Sequence, residues 1–390
     1  MIDVLFLFFI VIFSAFVFGE IFFRFGLSRS IGQIIAGLFL GLPFFSNLIS
    51  LEGNSMILLL SEIGIIFLLI LTGLEIDLKK IKNCSKEVVF IAFFSVLIPF
   101  LLGFGFALFI WHSLIIAFVA GAALSLTAEA TKTIVLLQKN VLETKIGELL
   151  IVAGTLDDIF ELLFLAVLLI LIGKNPGENL ILLPIQMIAF LVFVFVALKL
   201  LPRLLGLFNQ ESEDNYFSLA VIIGLGIALL SSALALGTII GALVAGLLLR
   251  KAIKSEKAEH AIQQNLKLVA FALVVPFFHL HIGLNFNSQN LVLHPGIIFG
   301  VLLIAFVGKM LGALIVKPFA LFRKEQLMLV GWGMNSRGFM ELIILSIASS
   351  QIPNFPMELY TAIVFMTIIT TIAFPIALDY YLKKYPDIMD

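Results

Sequence analysis

Three carboxylic acids stand within five residues near the middle of one long apolar run. Asp157, Asp158 and Glu161 lie in the run from residue 146 to residue 172, which is long enough to cross a bilayer. A charged side chain at the centre of a membrane helix costs about 2.5–3.5 kcal/mol on insertion scales, so such residues mark functional sites by default. A fixed structural ion pair would need one carboxylate rather than three. The cluster therefore predicts an ion or proton site inside a membrane.

Helical geometry points the three acids in two directions. Asp157 and Glu161 are four residues apart and share one helix face, whereas Asp158 points about 100° away from Asp157. The adjacent pair is predicted to be the ion- and proton-binding centre. Glu161 is predicted to be an accessory acid, either a third acid site or a partner for Lys132.

The composition places these acids in an all-α polytopic membrane protein. Of the 390 residues, 62% are hydrophobic and only 13% are charged, which is far from the balance of a soluble domain. Apolar runs bounded by charged or turn residues predict about thirteen transmembrane helices, at residues 4–23, 31–49, 56–76, 88–110, 113–137, 146–172, 180–201, 216–232, 234–249, 268–284, 295–316, 327–350 and 357–379.

The basic residues give this count an independent test. Of the 24 lysines and arginines, Lys132, Lys309 and Arg337 fall inside spans, and Lys174 follows an even-numbered span. The others all follow odd-numbered spans, lie at the end of one (Lys199) or lie in the C-terminal tail. By the positive-inside rule, the pattern predicts a multi-pass protein of the cell membrane with its N-terminus outside and its C-terminus in the cytoplasm.

The fifth predicted span is a poor continuous helix. Its middle contains Thr127, Glu129, Thr131 and Lys132, and threonine both loses rotamer freedom in a helix and competes for backbone hydrogen bonds. A break in the helix is therefore expected here. Non-helical backbone at this depth persists only where it is buried in protein or lines a cavity.

The twelfth predicted span has a second break signal. Residues 331–338 contain three glycines together with Asn335, Ser336 and Arg337, and glycine-rich polar stretches interrupt helices. Arg337 and Glu341 are four residues apart, so a structural salt bridge that holds this break is expected rather than direct contact with an ion.

The two broken spans are seven apart in the predicted order. An odd offset means that a repeat relating them reverses its orientation in the membrane, so spans 4–6 and 11–13 would be inverted counterparts. Broken helices that cross near the midplane are an architecture of secondary transporters. The half-helix ends offer dipoles of both signs, which Glu129, Lys132 and Arg337 could neutralise.

Several stretches together resemble the cation:proton antiporter superfamily. They match its second branch, which holds bacterial sodium/proton exchangers, Kef-type potassium efflux systems and plant cation/proton exchangers. The matching stretches are residues 30–41 (SIGQIIAGLFLG), 61–64 (SEIG), 71–77 (LTGLEID), 239–246 (IIGALVAG), 276–283 (PFFHLHIG) and 335–342 (NSRGFMEL).

The resemblance implies a homodimer with a sodium/proton antiporter-like fold. Residues 1–84 (helices 1–3) and 213–290 (helices 8–10) would form the dimerisation side. Residues 85–173 and 291–390 would be the two inverted repeats of a moving core, and residues 174–212 would be a linker helix. Its substrates would be Na+ or K+ and H+, with no resident cofactor, no metal and no nucleic acid.

The resemblance also assigns roles to single residues. Asp158 would bind the cation and exchange protons, while Asp157 would pair with Lys309 on the eleventh span. Residues 127–133 would form the unwound crossover, with Thr127 as a hydroxyl or carbonyl ligand. Glu129 and Lys132 depart from the family pattern, which usually has small or hydroxyl residues there.

Some of these residues have simpler interpretations. Lys309 could extend its ammonium to the membrane surface, but Gly308 and Gly312 beside it favour an inward position. His279 and His281 could bind a metal or sense pH, although interfacial packing is the more common role for such histidines.

Two other classes of protein were weighed against an exchanger. A Kef-like potassium efflux protein would explain the LTGLEID match, but such systems usually carry a nucleotide-binding domain that is not found here. An intramembrane aspartyl protease needs one catalytic Asp on each of two spans, whereas both lie on one span here. No enzyme motif is found, so the sequence predicts a transporter, with Na+ preferred narrowly over K+.

Overall fold

The computed structural model describes residues 4–25, 27–42, 45, 55–75, 85–172, 182–207, 213–234, 237–253, 256–319 and 321–389. Regular structure in these ranges is entirely helical, as predicted. The helices are α1 (Val4–Arg24), α2 (Arg29–Leu40), α3 (Ser55–Glu75), α4 (Lys86–Trp111), α5 (Leu114–Ser125), α6 (Glu129–Gln138), α7 (Lys145–Ile172), α8 (Leu182–Leu207), α9 (Glu213–Ala233), α10 (Thr238–Ala252), α11 (Glu256–Val269), α12 (Val275–Leu284), α13 (Gln289–Leu293), α14 (Pro295–Leu314), α15 (Lys324–Gly333), α16 (Met340–Gln351) and α17 (Met357–Lys384).

The helices follow the predicted spans in order along the chain. Residues 46–49, at the end of the second predicted span, lie outside the described ranges. Among the described residues, six helical segments are each long and apolar enough to cross a bilayer: Val4–Arg24, Ser55–Glu75, Lys86–Trp111, Ala258–Leu284, Pro295–Leu314 and Met357–Lys384. The prediction of an all-α polytopic membrane protein is therefore confirmed.

Both predicted breaks are present. Three residues, 126–128, separate α5 from α6, and the flanking Leu126 and Ala128 have extended backbone angles. Residues 334–339 separate α15 from α16. The threonine-rich and glycine-rich stretches thus divide the fifth and twelfth spans where the sequence predicts it.

The tenth predicted span is longer than expected. The helix begins at Glu256 rather than near residue 268, and a π-helical turn (Ala270–Val274) joins α11 to α12. Pro276 follows directly, and because proline cannot donate a backbone hydrogen bond, the regular ladder is interrupted there. Single π turns of this kind are common where a helix adjusts its register.

The chain forms two compact units by its internal contacts. One comprises Met1–Ala15, Leu40–Ile76 and Leu169–His281. The other comprises Phe16–Phe39, Asp77–Leu168 and Ile282–Asp390. These boundaries divide α1 between the units, which the sequence does not predict, because α1 is one uninterrupted apolar helix. The roles expected for segments in a dimer remain predictions.

In the first unit, α3 packs against α10, and its C-terminal end is held by polar side chains. The Leu74 carbonyl accepts hydrogen bonds from the Arg250 guanidinium and, at 3.0 Å, from Nε2 of Gln263. Arg250 also forms an ion pair with Glu259 at 3.3 Å. An orphan carbonyl of the last helical turn is thereby satisfied.

In the second unit, α4 packs against both α5 and α14. Two glycines allow the close approach of α14. A Cβ atom on Gly312 would lie 2.6 Å from the Ser95 Cα, and one on Gly308 would lie 2.8 Å from the Pro99 Cβ. This contact fixes the rotation of α14 and leaves Lys309 completely buried.

The C-terminal tail of the second unit is tied to the first turns of two helices. The Ile146 amide at the start of α7 donates to the Met389 carbonyl at 3.1 Å. Near the start of α15, Nε2 of Gln326 donates to the Ile388 carbonyl at 3.1 Å, and Arg323 forms an ion pair with Asp387 at 3.1 Å. The tail thus joins α7, which carries the acid pair, to the first half of the second broken span.

Candidate functional site

The acid pair lies near the middle of α7. Asp157 is fully buried, and the next residue, Asp158, is half-buried. Nζ of Lys309 lies 3.8 Å from Oδ2 of Asp157, and both side chains are inaccessible to solvent. Because 3.8 Å exceeds hydrogen-bond length, this is a Coulombic ion pair. Two neighbouring carboxyl groups therefore have different surroundings, one sealed beside an ammonium and one partly accessible.

Lys309 joins the acid pair to the first break. Its ammonium donates to the Ser125 carbonyl at the end of α5 and to the Thr127 hydroxyl at 2.7 Å. Extension of Lys309 to the membrane surface is excluded by its complete burial. Three oxygen atoms from α5, the break and α7 thus surround one buried positive charge.

Thr127 connects the two breaks. Its hydroxyl accepts from Lys309 and donates to the Met334 carbonyl at 2.8 Å. The neighbouring Ala128 amide donates to the Ser336 carbonyl at 2.8 Å. The non-helical segments therefore satisfy each other's backbone groups, which is what a buried break requires.

Arg337 is the second cation at the end of α5. Its guanidinium donates to the carbonyls of Leu126 and Leu124, the latter at 2.7 Å, and more weakly to that of Ala123 at 3.4 Å. Oδ1 of Asn335 lies 3.4 Å from the same group. Carbonyls at a helix C-terminus carry partial negative charge, so Arg337 and Lys309 together neutralise the buried end of α5.

The Glu341 carboxylate has two hydrogen-bond partners besides its Coulombic interaction with the predicted partner Arg337. Its Oε1 accepts from the Gly338 amide at 2.9 Å and from the Thr367 hydroxyl at 3.3 Å. The carboxylate lies in the first turn of α16, where partial positive charge favours an acid. Arg337 itself donates to Asn335 and to the carbonyls at the end of α5, so the two residues also contact the ends of different half-helices.

Two of the remaining crossover residues, Glu129 and Lys132, lie beside α7. Lys132 is fully buried, with Nζ 4.0 Å from Sδ of Met334. Oε1 and Oε2 of Glu129 lie 3.4 and 3.5 Å from the Thr155 hydroxyl on α7. Thr131 is buried as well. Charged residues of α6 therefore lie beside the helix that carries the acid pair.

Two other predictions have different outcomes. Glu161 lies on α7, but its side chain is outside the described part of the structure. His279 is fully buried in the first unit, with its ring centroid 5.4 Å from that of Phe278. His281 is half-buried.

Several contributors were not predicted. The carbonyls of Ser125, Leu126 and Met334 have no sequence signal, because every residue carries the same group. Thr155 and Thr367 do have a sequence signal, since hydroxyl groups in apolar spans form hydrogen bonds with neighbouring helices. The three threonines among residues 367–371 of α17 could have drawn attention to the second break.

Comparisons of sequence and fold agree on one group of proteins. A family model described as "Sodium/hydrogen exchanger, transmembrane" matches residues 8–384. The chain is 31% identical over 369 residues to the Na+/H+ antiporter of Enterococcus hirae, with 93% of each chain covered. It is 25% identical over 363 residues to the Na+/H+-K+ antiporter GerN of Bacillus cereus, which covers 93% of this chain and 92% of that relative.

The fold is also similar to that of a solved antiporter structure. The sodium proton antiporter MjNhaP1 from Methanocaldococcus jannaschii, determined at pH 8, matches with a TM-score of 0.67 and covers 96% of each chain. Sequence identity is 16%, so this similarity concerns the fold alone.

Proposed function

The chain belongs to the sodium/hydrogen exchanger family, and on that premise we propose that it is a secondary active antiporter. It exchanges a monovalent cation for protons across a membrane by alternating access, with Na+ as the preferred cation over K+. The observation that carries the proposal is the buried Asp157–Lys309 ion pair beside Asp158, where two broken helices contact each other. A buried acid pair of this kind marks an ion or proton pathway.

The surroundings of Lys309 support competition between its ammonium and a cation. The ammonium is held by Ser125, Thr127 and Asp157, through a carbonyl, a hydroxyl and a carboxylate oxygen. Oxygen atoms of these types are also the ligands that hard metal cations prefer. A cation that reaches Asp158 can therefore replace the lysine at the same oxygen atoms.

Protons leave the site as the cation enters. The cation binds Asp158 and displaces a proton from that carboxyl group. It also weakens the Asp157–Lys309 pair, so that Lys309 releases a proton as a neutral amine. Two protons then leave for one cation, and transport moves one net charge, which is worth about 2.3 kcal/mol at 100 mV. Because these groups titrate as a coupled set, the released protons cannot be assigned to single residues.

The remainder of the cycle is a movement of the core. Residues 85–173 and 291–390, which hold both breaks and the acid pair, shift relative to a dimerisation side formed by residues 1–84 and 213–290. The protein works as a homodimer in the cell membrane, with its C-terminus in the cytoplasm. Support for the orientation comes from the distribution of lysine and arginine between alternate loops.

The test is cation-triggered proton flux in sealed proteoliposomes that carry a pH gradient. Addition of Na+ should collapse the gradient for the wild type, whereas Asp158→Asn should abolish the response. Asp379→Asn is the matched control, because Asp379 is 43% exposed and pairs with Lys139 at 2.6 Å, away from the acid pair.

The outcome also identifies the cation. A larger response to K+ than to Na+ would reverse the preference. An Asp158→Asn variant with unimpaired flux would contradict the proposed site. Failure of the wild type to respond to either cation would contradict exchange itself, and conductance in planar bilayers would then test a channel.

A further inference from the structure

Two charged side chains of α6 converge on one point of α7. A Cβ atom added at Gly154 would lie 2.6 Å from Nζ of Lys132 and 3.4 Å from Cγ of Glu129. The next residue, Thr155, is within 3.4 Å of the Glu129 carboxylate. The ammonium thus approaches the α7 backbone where only a glycine leaves room for it.

This contact is one helical turn from the acid pair. Gly154 precedes Asp157 by three residues and Asp158 by four, and residues at these spacings share one helix face with about 5–6 Å between their Cβ atoms. Lys132 is completely buried, and its charge acts on Asp157 together with those of Lys309 and Arg337. A second ammonium, on a different helix from Lys309, is therefore built into the surroundings of the acid pair.

A fixed positive charge one helical turn from the acid pair opposes the binding of another cation there. Coulomb interactions weaken little inside a protein, because the effective dielectric constant is far below that of water. We propose that Lys132 is a tethered competitor of the transported cation, which lowers the affinity of the Asp157–Asp158 site and thereby speeds release of the cation. This inference rests on the proposed exchange function. A purely structural role, in which Lys132 only supports the packing near Met334, would not change cation affinity.

The first test is Lys132→Met, which removes the charge and keeps an unbranched side chain. In the proteoliposome assay, the half-saturating Na+ concentration should fall about tenfold, which corresponds to about 1.4 kcal/mol, and the maximal rate should fall with it. Lys139→Met is the matched control. Lys139 follows the same helix, is 35% exposed and pairs with Asp379, so its loss should leave the half-saturating concentration unchanged.

The second test moves the ammonium without removing it. Gly154→Ala places a methyl group 2.6 Å from Nζ, the terminal atom of the Lys132 side chain, so the side chain shifts while its charge remains. The substitution should change the half-saturating Na+ concentration in the wild type and have no effect in a Lys132→Met background. Such non-additivity is expected only if Gly154 acts through Lys132.

Binding measured without transport separates this inference from the proposed function. Stabilisation by Na+ against thermal unfolding in detergent reports binding directly, and Lys132→Met should show it at about tenfold lower Na+. If the wild type binds Na+ but moves no protons, exchange is contradicted while the competitor role stands. A folded Lys132→Met with unchanged or weaker Na+ binding overturns the competitor role. If that variant fails to fold, an absence of any effect of Gly154→Ala overturns it instead.

Discussion

An arginine caps the end of α3 and another caps the end of α5, and their settings differ. At the end of α3, Arg250 and Gln263 both donate to one carbonyl, that of Leu74. The Arg250 side chain is 24% exposed and has Glu259 as its own carboxylate partner. At the end of α5, Arg337 is buried and donates to three carbonyls. Lys309 donates to a fourth carbonyl, that of Ser125.

The two caps differ in whether their charges are balanced within the cap itself. The cap of α3 balances its own charge at a partly hydrated surface, where ion pairs contribute little. The cap of α5 consists of two buried cations, and one of them, Lys309, also forms an ion pair with Asp157. Any event that changes the charge of Asp157 therefore changes the stability of a helix end. The buried cap couples structure to ion binding, whereas the exposed cap provides structure only.

The largest effect is expected at the buried arginine. Arg337→Ala would leave the carbonyls of Leu124 and Leu126 without their donor, and each orphaned buried group costs about 1–3 kcal/mol. The free energy of unfolding should therefore fall by about 3 kcal/mol or more, measured by thermal unfolding in detergent. A loss similar to that of Arg250→Ala would mean that the two caps are equivalent.

Lys309→Gln should separate charge coupling from stability. The variant keeps a polar side chain near Ser125 but removes the ammonium beside Asp157. If Lys309 carries the second proton, exchange becomes electroneutral and loses its dependence of about 2.3 kcal/mol per 100 mV. The measurement is proton flux at imposed potassium-diffusion potentials. Lys317→Gln, which removes an exposed lysine that donates to Phe322, should keep the voltage dependence of the wild type. Retained voltage dependence in Lys309→Gln would refute this role.

Thr127→Val tests the connection between the buried cap and the second break. It removes the hydroxyl that joins Lys309 to the Met334 carbonyl while it preserves shape. We expect a loss of about 1–2 kcal/mol in unfolding free energy, because a buried carbonyl loses its donor. Thr133→Val is the control, since Thr133 donates only to the Glu129 carbonyl of its own helix. Equal effects of both variants would show that the connection contributes nothing of its own.

The smallest effect is expected at the exposed arginine. In Arg250→Ala, Gln263 still donates to the Leu74 carbonyl, and a partly exposed ion pair contributes about 0.2–1 kcal/mol. The thermal midpoint should shift only slightly, and exchange activity should match that of the wild type. A severe loss of activity would show that this cap, too, takes part in transport.

The sequence predicted the parts of the site that depend on costly residue types. Acids, lysines and broken helices at membrane depth are conspicuous because they are unfavourable there, so Asp157, Lys309 and both breaks could be located in advance. The carbonyl partners of Arg337 at the end of α5 could not be located in advance, since backbone carbonyls are identical along the chain. The approach of Lys132 to Gly154 and the division of α1 between units depend on tertiary packing, which local patterns do not encode.

The hydrogen bonds between the two breaks have a consequence for how the chain can open. Thr127, Met334 and Ser336 are buried, and Ala128 and Thr127 are anchored to Ser336 and Met334 by backbone and hydroxyl hydrogen bonds. Sliding of one break along the other would rupture them together, so both segments must travel as a single rigid piece. Deuterium uptake offers a direct view of this, because locally closed amides exchange only through opening. The Ala128 amide should remain among the slowest to exchange even while the protein turns over, and the fast-exchanging amides should lie in segments outside the crossing.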